Sequence, residues 1–70
     1  MYIVIEIQKT GDKIATLVTT YTNQNEAESK YYTVLAAAAM STVPLHAASL
    51  LTEDGRCLRS EAYKHSVAEN

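Results

Sequence analysis

Only one stretch of this chain, residues 23–41, reads as a helix, and a pair of strand-like runs stands on either side of it. That arrangement dominates what can form. A helix buries one stripe and a sheet one or two faces, so a lone helix on four strands covers one face and leaves the other open.

The first run, YIVIEIQ at residues 2–8, is dense in β-branched side chains. Period-two alternation puts Ile3, Ile5 and Ile7 on one face and Tyr2, Val4 and Glu6 on the other. Gly11-Asp12 suits a tight hairpin turn into IATLVTTYT at residues 14–22. Beyond the helix, VPLHAASLLT at residues 43–52 predicts a third strand. EDGR at residues 53–56 carries the Asp-Gly turn signal, and CLRSEAYKH at residues 57–65 alternates as a fourth strand before a frayed tail, SVAEN. The expected fold is α+β: a four-stranded antiparallel sheet of β-β-α-β-β order with one helix packed on one face, as a single small domain spanning residues 1–70.

The helix has a start, a stripe and a stop. Asn23 can cap it, with Glu26 at capping-box spacing and Glu26 and Glu28 near the positive end of the dipole. Glu26 and Lys30 form an i,i+4 pair. Ala27, Tyr31, Val34, Leu35 and Ala38 recur as one buried stripe, and Pro44 forbids continuation past Ser41 and Thr42.

Ala36 to Ala39 go all round this helix. Two readings stand: alanine is the best helix former, and small side chains let a second helix face pack on another subunit. Size favours association. A domain of 70 residues rarely draws more than about 3–5 kcal/mol from its core and usually needs a staple. Cys57 is the only cysteine, so a disulfide within the chain is excluded, and His46, Cys57 and His65 have no zinc-ligand spacing. Oligomerisation is the remaining common route. The open sheet face is expected to carry Tyr2, Val4 and Glu6 with Cys57, Arg59, Glu61 and Tyr63. The expected interface residues are Tyr2, Val4, Ala36, Ala37 and Met40, in a homodimer or higher oligomer.

Six basic residues against eight acidic ones give a net charge of −2, which argues against direct DNA binding. No apolar run has the length of a membrane span. MYIVIEIQ lacks the basic region and cleavage site of a signal peptide. A cytoplasmic protein is expected.

No catalytic motif stands out, and neither a metal nor a cofactor is implied. Arg56, Arg59, Lys64 and His65 concentrate cationic and imidazole groups within ten residues. Such a cluster could grip a phosphate; equally, it could charge an edge strand against aggregation. Tyr32 and Tyr63 could stack on a base, whereas Tyr31 belongs to the core stripe. His46 is either a hydrogen-bonding pocket residue or a packed structural histidine.

Taken together, VIEIQ, the run LVTTYTNQNEAESKYYTVLAAAAMSTVPLHAASLLTEDG and the closing YKH resemble a family of small uncharacterised proteins of gut Firmicutes and of their phages and prophages. The resemblance spans nearly the whole chain and transfers no catalytic residue. It implies a phage-related origin and action in the host-cell cytoplasm. The expected function is therefore non-enzymatic: a homo-oligomeric host-defence antagonist that sequesters a nucleotide immune signal at a subunit interface. Arg56, Arg59, Lys64, His65, Tyr32, Tyr63 and His46 are its candidate ligand contacts. The alternative is a virion structural or assembly protein, or a protein–protein inhibitor, acting through the open sheet face.

Overall fold

The strand and helix signals of the sequence all materialise. The computed structural model describes residues 1–65, so the expected tail SVAEN lies outside the described residues. Five elements follow in order: β1 (Tyr2–Thr10), β2 (Lys13–Tyr21), α1 (Gln24–Met40), β3 (Leu45–Thr52) and β4 (Cys57–Lys64). They form an α+β fold, a four-stranded antiparallel sheet of order β2-β1-β3-β4 with α1 packed on one face. β1 is the centre of the two-hairpin design, bonded to β2 on one side and β3 on the other. β2 and β3 consequently run in the same direction with β1 between them. Strands so related need a long crossover, and α1 supplies it.

Both hairpin turns rest on their glycine. Gly11 has φ 62° and Asp12 is not left-handed, the pattern of a II′ turn. Gly55 has φ 92°, and its N–H donates to the Thr52 carbonyl at 2.9 Å. Asn23 caps α1 as expected, its side chain accepting from the N–H groups of Asn25 (2.7 Å) and Glu26 (3.3 Å).

The core is small and lies between α1 and the two central strands. Ala27, Tyr31, Val34 and Ala38 of α1 are buried over Val4, Ala48 and Leu50. Ala27, Ala38 and Ala48 are fully inaccessible, so small side chains stand where helix and strand backbones come closest. Of the four consecutive alanines, Ala38 alone is buried.

Two face assignments are corrected. Residues paired across an antiparallel ladder point to the same side. Val4 pairs with Leu50, and Tyr2 with Thr52, so Tyr2 and Val4 lie beneath the helix and not on the open face. Val4 is 1 % exposed, and Tyr2 packs against the core. Ile3, Ile5 and Ile7 take the open face instead, beside Val18 and Leu51. In β4, Arg59, Glu61 and Tyr63 pair with Leu50, Ala48 and His46, which again puts them on the helix side. A bulge then breaks the alternation. Leu50 pairs with Arg59 but Leu51 with Cys57, so Leu58 is the extra residue and only Cys57 keeps its expected side.

Candidate functional site

α1 sits mainly over β3 and β1, and β4 extends beyond it. The overhang creates a cleft of about 620 Å³, well within the range of small-molecule sites. Its helix wall is built from Tyr31, Tyr32, Leu35, Ala36 and Ala39, its strand wall from Leu58, Arg59, Ser60, Glu61 and Tyr63. Each wall follows from local sequence. Ala36 and Ala39 add no bulk on the side of α1 that faces β4, which keeps the cleft open. The β4 bulge turns Leu58 into the cleft.

Three aromatic and charged groups define its chemistry. Tyr32 is half exposed and meets Tyr31 edge to face, with ring centroids 5.1 Å apart at 74°. The Arg59 guanidinium lies 5.9 Å from the centroid of the Tyr32 ring, a cation–π distance. Its Nε is also 3.5 Å from the Glu28 carboxylate, a loose and partly exposed ion pair. Tyr63 stacks at 12° on His65 with centroids 6.4 Å apart. The His65 Nε2 is 2.8 Å from the Ala38 carbonyl and so ties β4 to the C-terminal turn of the helix. Burial, and next the nearby Glu61 carboxylate, push the Tyr31 hydroxyl above its usual range, so it stays protonated.

The comparisons with known proteins add nothing to this geometry. No family model, curated protein or solved structure matches the chain.

Of the seven expected ligand contacts, Arg59, Tyr32 and Tyr63 converge on the cleft. The other four do not. Arg56 lies in the β3–β4 turn, where its N–H donates to Thr52 Oγ1 at 3.2 Å. Lys64 is at the opposite end of the strand, beside Lys9 and Pro44 in a separate cavity of about 390 Å³. A strand advances about 3.3 Å per residue, so basic groups that cluster in sequence are spread along the sheet edge. His65 faces the helix end, and His46 is buried under the helix. Of the expected interface residues on α1, Ala36 lines the cleft, while Ala37 and Met40 are exposed.

A second polar site lies inside the sheet. His46 is 4 % exposed, and its Nε2 is 2.6 Å from a Glu6 carboxylate oxygen. The carboxylate only accepts, so Nε2 carries the proton, and Nδ1 is buried with no partner among the described residues. The His46 bond is the main cause holding the Glu6 carboxyl below its ordinary value of 4.5, with Gln8, which donates at 3.1 Å, also contributing. On the ladder Ala48 stands between Glu6 and Glu61, and His46 is the hydrogen-bond partner of Glu6. Among the described residues, no group of three or more His, Cys, Asp or Glu side chains could hold a metal ion.

Proposed function

We propose that this chain is a non-enzymatic binding protein that seats a nucleotide-class ligand in the α1–β4 cleft. The convergence of Tyr32, Tyr63 and Arg59 on one cavity supports the reading. Base rings stack on tyrosine, and a guanidinium matches phosphate oxygens. Glu61, on the same wall, can accept from the exocyclic amine of a base. The resemblance to small phage and prophage proteins suggests the setting: a homo-oligomeric antagonist that sequesters a nucleotide immune signal in the host-cell cytoplasm. Among the described residues no helix is long and apolar enough to cross a membrane.

The test is native mass spectrometry of gently purified protein, with and without cyclic and ADP-ribose-type nucleotides. Uptake of one ligand per subunit or per interface is expected. Absence of any uptake across the panel rejects the reading.

A different observation favours a second reading. Among the described residues no element covers the open face, which presents Ile3, Ile5, Ile7, Val18 and Leu51, and Val18 is 55 % exposed. An apolar face of that kind serves assembly or the blocking of a protein partner. A role in the virion predicts many copies of the chain in purified particles, and a peptide search of those particles decides it.

A further inference from the structure

β4 is an edge strand, and among the described residues nothing pairs with its outer rim. The His65 N–H donates to the Pro44 carbonyl at 2.8 Å. Antiparallel ladders alternate, so Tyr63, Glu61 and Arg59 also turn their backbone groups toward β3. The N–H and C=O groups of Ser60 and Ala62 therefore point outward, away from the sheet. All eight residues of the strand are exposed. No proline interrupts the strand, and Arg59 and Glu61, the inward charges that would otherwise guard such an edge, are complementary to each other across a two-fold seam.

We propose that a second copy of this chain pairs with this rim, β4 antiparallel to β4, with Ser60 opposite the partner's Ser60. The two α1–β4 clefts then open into one groove shared by both copies. The proposal deepens the binding reading by naming the interface at which the ligand sits.

Charge selects the register. A two-fold antiparallel pairing sets one residue opposite its own copy. Centred on Arg59 the seam opposes two arginines, and centred on Glu61 it opposes two glutamates. Centred on Ala62 it sets Glu61 against tyrosine. Centred on Ser60 it sets Arg59 opposite the partner's Glu61, and does so twice. Those pairs fall at non-hydrogen-bonded positions, where opposed side chains come closest. They lie on the helix side, within the cleft. Arg59 can keep its loose contact with Glu28 through Nε and turn one Nη to the partner's Glu61, which leaves the other Nη for a ligand phosphate. Beyond Arg59 the bulge at Leu58 interrupts the regular ladder, so the pairs that select the register are the two between Arg59 and the partner's Glu61. The opposite edge, β2, offers no such selection. Its only charge is Lys13 at its start, so no register is preferred.

The geometry of the joined sheet gives the groove its width. β3 and the partner's β3 would stand three strand spacings apart, roughly 14 Å. Helices over β3 and β1 are then farther apart than the roughly 8–10 Å of packed helices. The gap admits a flat ring, with Tyr32 and Tyr63 of both copies around it.

Sedimentation equilibrium without nucleotide tests the seam. A dimer is expected. Arg59→Glu or Glu61→Arg should each weaken it roughly tenfold or more, and the double reversal should restore it. Ser60→Pro removes an N–H that faces solvent in the single chain, so the fold should survive by circular dichroism while the dimer is lost. A monomer at every concentration overturns the proposal. So does a dimer that Ser60→Pro leaves intact, which places the seam on β2 or on the open face. Nucleotide uptake is read separately on the same samples. A dimer that takes up no nucleotide keeps the seam and removes the binding reading, whereas full uptake by the Ser60→Pro monomer overturns the shared groove.

Discussion

At the scale of single residues, the Glu6–His46 pair is the contact with the clearest physical consequence. Burial makes it consequential: His46 is 4 % exposed, and its other nitrogen has no partner among the described residues. Folded Glu6 holds its proton less tightly than the unfolded chain does. The unfolded state thus binds more protons in that window, and stability rises with pH there. The contribution is fully present above the ordinary carboxyl value of 4.5 and is lost as pH falls through the lowered folded value. Glu6→Gln keeps an acceptor for Nε2 but turns a charge-assisted bond into a neutral one. Urea unfolding should show a loss of about 1 kcal/mol at neutral pH. The gap between wild type and variant should close as the solution is acidified below that value. A gap independent of pH would assign the loss to packing. The pair is invisible in the sequence: its members are 40 positions apart, and only the β1–β3 register brings them together. Asn23 is the opposite case, a cap legible from its spacing to Glu26. Asn23→Ala should cost about 1 kcal/mol in the same assay.

At the scale of elements, the helix and both hairpins are legible because each carries its own local punctuation. Asn23 opens α1, Pro44 bars its continuation, and Gly11 and Gly55 make the turns. Strand faces are not legible, for a specific reason. β1 is apolar on both sides, Ile3, Ile5 and Ile7 against Tyr2 and Val4, so alternation cannot choose which side the helix covers. Only the pairing of Val4 with Leu50 decides it. In β4 the bulge at Leu58, the second residue of the strand, breaks the alternation between Cys57 and Arg59, and no sequence signal marks it. The cleft is legible in part. Tyr32 follows from the helix period as the tyrosine beside the buried stripe. That Arg59 and Tyr63 join it, while Arg56 and Lys64 do not, follows from strand length and face. Tyr32 is half exposed, so Tyr32→Ala should change stability by only about 0.5 kcal/mol. It should weaken nucleotide binding by about 1–3 kcal/mol, the worth of one stacked base. Calorimetric titration beside thermal melting separates the two effects, and unchanged affinity would place the ligand elsewhere.

At the scale of the whole molecule, the balance between core and surface is the governing fact. Among the described residues the buried set comprises Val4, Leu50, Tyr31, Val34, three alanines and a histidine. Meanwhile Ile14, Leu17, Val18 and Met40 stand 64, 55, 55 and 87 % exposed. A chain that keeps so much apolar surface outside a core this small gains stability from whatever covers that surface. Covering by a second copy obeys mass action, because the dimer contains only folded chains. The melting temperature should therefore climb with protein concentration. Each tenfold rise adds about 1.4 kcal/mol per dimer once association dominates. Scanning calorimetry over a concentration series measures it. Ser60→Pro should flatten that slope while leaving the melting temperature at high dilution near the wild-type value, since its N–H points to solvent in the single chain. A slope that survives Ser60→Pro but disappears when Val18 on the open face is made lysine would mean that the sheet face is the covered surface. The assembly reading would then account for the apolar excess better than the cleft does.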